Sequence, residues 1–230
     1  IMFRQTAIAV AISVTVAGCA GGPFEGIFTT RPSDHVEGKP ESGRVNALLR
    51  IADATAAAGD MASAIQMYRN AHRADPLNAV VTERLGEALL RVGEFDEAVE
   101  VFDTAIGSGH SAGAHVGKAK ALISLDQPQA AISHLEAALK IEESARVYNA
   151  FGVAYDLLGD HGAAQAYYRT GLDVSTSNLN LQNNLGLSLA VSGRHDEAIR
   201  VLRKSAANPR AKARNRLNLA LAYGIAGEME

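Results

Sequence analysis

From Val45 onward, apolar residues fall on one side of a 3.6-residue period in short bursts, each ended by a polar turn and followed by another burst. The stretch Tyr148-Asn149-Ala150-Phe151-Gly152-Val153-Ala154-Tyr155-Asp156-Leu157-Leu158-Gly159-Asp160-His161 predicts a helix with a small residue at Gly152 that stops at Gly159. A second helix follows, with Ala164 and Tyr168 one turn apart on its buried side. A lone pair of helices has little to bury itself against. Because the pattern recurs, the chain predicts an all-α fold of stacked antiparallel helix pairs.

The recurrence is numerical. The helix-ending position holds Gly59, Gly93, Asp126, Gly159, Gly193 and Gly227, at steps of 34, 33, 33, 34 and 34 residues. The second helices carry Ala64, Ala98, Ala131, Ala164 and Ala198, and four residues later Tyr68, Phe102, Leu135, Tyr168 and Leu202. Five hairpins are predicted at about 45–78, 79–112, 113–144, 145–178 and 179–211, then a sixth first helix from Ala213 to Ala226. Gly86, Gly152 and Gly186 sit where the two helices of a hairpin must approach closely. The third unit departs most, with Ala119 in place of that glycine and Asp126 at the turn. Leu217, Leu219, Leu221, Tyr223 and Ile225 make the sixth first helix apolar, which predicts a further helix or a partner over it.

These marks resemble the tetratricopeptide repeat: Leu85-Gly86 with Gly93, Ala98, Phe102 and Ala105, then Phe151-Gly152 with Tyr155, Gly159, Ala164 and Tyr168, then Leu185-Gly186 with Gly193 and Ala198. The first-helix tryptophan of that repeat is absent throughout, and the unit-ending proline is clear only at Pro76. The resemblance implies a solenoid whose first helices line a concave face, a surface that usually binds an extended peptide or another protein.

Composition adds little until the amino-terminal end. The 230 residues are 47% hydrophobic with a formal charge of −3, which gives no basic stripe for nucleic acid. One cysteine excludes an internal disulfide and a cysteine-based zinc site. That residue, Cys19, ends Val16-Ala17-Gly18-Cys19 after an apolar run from Ala7 to Ala17, too short to span a bilayer and suited to a cleaved signal peptide over residues 1–18. The sequence around it resembles a bacterial lipobox, which implies lipidation of Cys19; Ala20 after it implies the outer membrane. Residues 19–44, broken by glycine and proline, predict a flexible tether, with docking of Phe24 and Phe28 on the first repeat or a partner as the competing reading. Residues 45–230 are then the repeat domain.

Several motifs point to chemistry only on their face. Gly109-His110-Ser111-Ala112-Gly113 spells G-x-S-x-G, but a nucleophile elbow needs a strand before the turn, and here a helix over Val99 to Ile106 precedes it. A serine hydrolase at Ser111 is therefore the remote alternative to an inter-repeat turn. Gly117-Lys118 lacks the glycine and the Ser or Thr that a phosphate loop requires. His110 and His115 have no carboxylate beside them, and His161 and His195 share a repeat position predicted to face solvent, so neither metal nor cofactor is predicted. Asn149 and Asn183 are 34 residues apart, as are Asn184 and Asn218. Repeated asparagine inside helices asks for a reason. Two stay open: recognition of a ligand's main chain in the groove, or hydrogen bonds between adjacent repeats.

The asparagine-bearing segments resemble a narrower family. Tyr148-Asn149-Ala150-Phe151-Gly152, Asn183-Asn184-Leu185-Gly186 and Asn218-Leu219-Ala220-Leu221-Ala222-Tyr223-Gly224 are similar to the TadD lipoproteins of bacterial tight-adherence (Flp) pilus assembly. That resemblance implies a non-enzymatic, outer-membrane, periplasm-facing scaffold that binds a secretin or another pilus-assembly subunit. The alternative of the same type is a repeat lipoprotein serving cell-wall or outer-membrane biogenesis.

Overall fold

A computed structural model describes residues 40–109 and 111–227. The regular secondary structure of the described residues is helical: α1 (Pro40–Ala57), α2 (Met61–Ala74), α3 (Ala79–Val92), α4 (Phe95–Ser108), α5 (Ala112–Ser124), α6 (Pro128–Ile141), α7 (Ala145–Leu157), α8 (His161–Val174), α9 (Leu179–Val191), α10 (His195–Ala206) and α11 (Ala213–Ala226). The helices follow the predicted hairpins. One boundary differs: α1 begins at Pro40, ahead of the predicted start at Val45. Proline suits a first helical position, where its missing N–H forfeits no hydrogen bond, so the last residues of the predicted tether are helix. Cys19 and the rest of that tether lie outside the described residues.

Local chemistry sets the ends of these helices. The Asp60 and Asp160 carboxylates accept from the backbone N–H of Ser63 at 3.0 Å and of Ala163 at 2.9 Å. Asn78 and Asn178 do the same for α3 and α9. Each such cap is worth about 1 kcal/mol. Between the helices of every hairpin the chain turns through a left-handed residue, with φ from 79° to 96° at Gly59, Gly93, Gly159 and Gly193 and 58° at Asp126. Asp126 thus takes the repeat's turn at a steric cost that glycine escapes.

The two sequence series meet in the core. Ala64, Ala98, Ala131, Ala164 and Ala198 are all fully buried, and the large side chain one turn later packs beneath the first helix. A Cβ on Gly86 would lie 2.3 Å from the Phe102 ring, one on Gly152 2.2 Å from Tyr168, and one on Gly186 2.4 Å from Leu202. Those distances leave no room for a Cβ, so the glycines are what lets Phe102, Tyr168 and Leu202 reach the first helix. Phe102 is also covered from the next unit, because a Cβ on Gly117 would stand 2.2 Å from it. The third unit keeps Ala119 at the usual glycine position and buries the smaller Leu135 one turn after its own alanine, while its Gly117 makes room for the ring of the preceding unit.

Consecutive helices pack on one another, and from α3 onward each first helix also touches the first helix of the next unit, in the pairs α3 with α5, α5 with α7, α7 with α9 and α9 with α11. Second helices are joined differently. Arg69 on α2 makes a two-pronged bond to Glu97 on α4 at 2.5 and 2.7 Å, and Arg169 on α8 reaches Glu197 on α10 at 3.0 Å. Rows of first helices in direct contact on one side, with side-chain bridges on the other, place the closely packed edge of the stack along the first helices. No helix among the described residues is long and apolar enough to cross a membrane.

Candidate protein-binding surface

The four singled-out asparagines form a chain of amides across the last three first helices. Asn218 on α11 donates to Asn183 on α9 at 2.9 Å, Asn183 donates to its neighbour Asn184 at 3.5 Å, and Asn184 donates to Asn149 on α7 at 3.0 Å. The inter-repeat reading thus describes their geometry. Each amide holds a helix to the next, which offsets the modest helix propensity of asparagine. The chain runs in one direction and ends in half-buried residues, leaving the Nδ2 of Asn149 and the Oδ1 of Asn218 unused among the described residues.

Further toward the amino-terminal end the same surface is charged. Asp53, Tyr68, Arg84, Glu87 and Arg91 line a cleft of about 540 Å³ between α1 and α3. Arg84 approaches Asp53 at 3.6 Å, and the Tyr68 hydroxyl donates to Asp53 at 2.6 Å. Burial first, and then that carboxylate, push the Tyr68 hydroxyl up to about 12. Arg146 on α7 reaches back to Glu87 at 3.4 Å, over Lys120 on α5. Burial, followed by the Arg146 guanidinium, holds the Lys120 ammonium below the usual lysine range, while Glu87 acts in the opposite sense.

A second hub binds three helices through Asp156. Its carboxylate accepts from Tyr168 of α8 at 2.9 Å and from Ser188 of α9 at 2.6 Å, and lies 2.8 Å from the Nδ1 of His161. The surface is therefore built on repeats tied rigidly at its back, with polar, charged and apolar side chains left forward. Three segments of the chain, residues 55–123, 112–144 and 149–213, match family profiles for the tetratricopeptide repeat.

The chain belongs to the tetratricopeptide-repeat family.

Known proteins resemble it in sequence and in fold. An uncharacterized protein of Sinorhizobium fredii, y4yS, is 31% identical over 125 residues, which make up 54% of this chain and 67% of that protein. The tetratricopeptide-repeat protein TTC0263 of Thermus thermophilus superposes with a TM-score of 0.71 at 20% identity, over 77% of this chain and 98% of its own. The MamA protein superposes with a TM-score of 0.56 at 26% identity, over 72% and 91%. Repeat stacks of this kind serve as scaffolds for protein–protein contact.

Within that family frame the remaining motifs find structural work. Ser111 caps α5: its Oγ accepts from the Ala114 N–H at 3.1 Å and donates to Glu83 at 3.3 Å. It follows helix α4 rather than a strand, so the geometry of a nucleophile elbow is missing at Ser111. The solvent-facing placement predicted for His161 and His195 is corrected. His161 is engaged by Asp156, whereas the residue at the matching repeat position before His195 is Ala190, and the Nδ1 of His195 is buried with no hydrogen-bond partner among the described residues. His115 lies 3.3 Å from His134 by their Nδ1 atoms, while His110 is outside the described residues. Burial, with Lys118 and His115 adding to it, holds His134 below the usual histidine range. Among the described residues no three His, Cys, Asp or Glu side chains converge as a metal set.

Reading the sequence did not single out Asp156, Arg84 or Glu87, and it weighed Gly117 only as part of a phosphate loop. Gly117 had a signal: it is a helix-interior glycine in a unit that carries Ala119 where both neighbouring units have glycine. Asp156 had none, since its three partners come from residues 161, 168 and 188 and only folding brings them together.

Proposed function

We propose that this tetratricopeptide-repeat protein is a non-enzymatic scaffold that binds a protein partner on the exposed side of its first helices. It is held through a lipid on Cys19 at the periplasmic face of the outer membrane, and serves tight-adherence (Flp) pilus assembly by aiding a secretin or another assembly subunit. One observation carries the binding part. The forward sides of the first helices hold charged, amide and apolar groups that the stacking of the repeats does not consume, including the open ends of the Asn149–Asn218 amide chain. The likeness of the asparagine-bearing segments to TadD supports the pilus assignment, and the lipobox resemblance at Cys19 supports the anchor.

Crosslinking the full chain in intact cells, followed by identification of the captured proteins, tests this reading. A secretin or pilus subunit recovered with the wild type, and its loss when Cys19→Ser releases the protein from the membrane fraction, is the expected result. Recovery of cell-wall enzymes alone, or a Cys19→Ser protein that stays in the membrane with its signal removed, overturns it.

A further inference from the structure

The forward face of the last three first helices is banded. On α7, Arg146, Asn149, Val153 and Leu157 follow one another at intervals of three and four residues, so they share one side of the helix. The next helices repeat the bands at a step of 34 residues: Arg146, Asn180 and Arg214; then Val153, Leu187 and Leu221; then Leu157, Val191 and Ile225. The amide chain lies between the first band and the two apolar ones. Leu157 is 52% exposed, Val191 64%, Leu221 50% and Ile225 44%, and Val153 and Leu187 are half-buried.

Stacking does not demand this pattern. The same two positions in the first three units hold Asp53, Glu87 and Lys120, and Ala57, Arg91 and Ser124, and those units fold alike. Scattered surface leucines need no explanation. Two rows of three apolar residues, contiguous across α7, α9 and α11, form the kind of patch that marks an interaction site. Leu157 and Val191 lie in hairpins with both helices present, so their exposure is not a property of the last helix. The flanking band is cationic. Arg214 is held by Asn180, a neutral group, and Arg146 pairs with Glu87 of α3 through an exposed contact at 3.4 Å.

We infer that this half of the first-helix face takes an amphipathic helix of the protein partner, with its apolar side on the two rows and an acidic edge over Arg146 and Arg214. The inference rests on the scaffold reading and deepens it. A helix fits the spacing. Neighbouring first helices pack about 8–10 Å apart, and helical residues seven apart recur every ~10.5 Å on one side, whereas alternate strand residues recur every ~6.8 Å. The two apolar rows lie one helical turn apart, the width of an apolar helix stripe. Arginines along one edge choose the sign of the partner and its orientation.

The test uses the full chain and a fluorescein-labelled synthetic helical peptide with leucines along one side and glutamates along one edge. A second peptide carries lysine for glutamate. By fluorescence anisotropy the glutamate peptide binds at least about tenfold more tightly. Replacing Leu157 and Val191 by serine weakens it about tenfold, with the circular dichroism spectrum unchanged because both sites are exposed. Arg146→Glu with Arg214→Glu reverses the preference between the peptides. Equal binding of both peptides, or indifference to the serine changes, overturns the inference. So does a concentration-dependent dimer that the serine changes dissolve, since a second copy would then be the occupant. If the partner captured in cells is still captured by the serine-substituted protein, this inference fails and the scaffold reading stands. If no partner is captured from wild type, the scaffold reading itself fails.

Discussion

Replacing Gly152 by alanine tests the packing logic of the whole stack. The added Cβ would sit 2.2 Å from Tyr168 Cε1 and 2.5 Å from Cδ1, where ordinary contact needs more than a further ångström. Tyr168 cannot move aside freely, being 1% exposed with its hydroxyl on Asp156 at 2.9 Å. Overpacking of this kind costs about 1–3 kcal/mol, and disturbing the hydroxyl bond about 1 kcal/mol more. Alanine returns about 1 kcal/mol in helix propensity. The balance is a loss of about 1–3 kcal/mol, which for a chain of this size lowers Tm by roughly 3–10 °C. Urea unfolding followed by circular dichroism reads it, with Gly107→Ala as the control, because nothing lies within 4 Å of a Cβ there. That control gains about 0.5–1 kcal/mol. Adding Tyr168→Leu to Gly152→Ala recovers part of the loss, since the third unit buries Ala119 and Leu135 at the same two positions. Should Gly152→Ala stabilise the protein as Gly107→Ala does, the close-approach argument is refuted.

Four further outcomes are expected. Asp126→Gly, at φ 58°, stabilises the third unit by about 0.5–1 kcal/mol in the same urea assay. Asp156→Ala removes three hydrogen-bond partners at once and leaves the buried Tyr168 hydroxyl unpaired, costing about 2–4 kcal/mol; a double-mutant cycle with Ser188→Ala gives a coupling above about 0.5 kcal/mol. Burial first, and then Asp156, raise the Tyr168 hydroxyl, as burial and Asp53 raise Tyr68 to about 12. A folded value above the unfolded one means that this stability is whole below about pH 10 and is lost as pH climbs through the folded value, so unfolding titrations show a decline above pH 10 that Tyr68→Phe lessens. Ser111→Ala costs about 1 kcal/mol through the lost α5 cap, and a fluorophosphonate probe leaves the wild-type residue unlabelled.

Much of the fold was legible because a repeat states its pattern several times. Ala64, Ala98, Ala131, Ala164 and Ala198 announce buried positions by recurrence, and all five are fully buried. The close approach at Gly86, Gly152 and Gly186 follows from residue size alone. The candidate surface was less legible, because the sequence marks a repeated asparagine without saying whether its amide faces a ligand or the next helix. The histidine after the turn shows the same limit. His161 and His195 are equivalent by position, yet His161 meets Asp156 five residues before it, while the residue five before His195 is Ala190, which has no side-chain acceptor to offer.

The sequence by itself determined the all-α class, the unit length, the hairpin boundaries to within a few residues, and which small and large residues meet inside each hairpin. Those depend on contacts a few residues to one turn apart, plus a fixed period, and both are written along the chain. Only the tertiary structure decided that Gly117 shares the Phe102 ring, that Asp156 joins three helices, and that the four asparagines link α7, α9 and α11. Each of these depends on the angle and register at which one unit meets the next. Side-chain packing across the stack sets that angle, and no single segment encodes it.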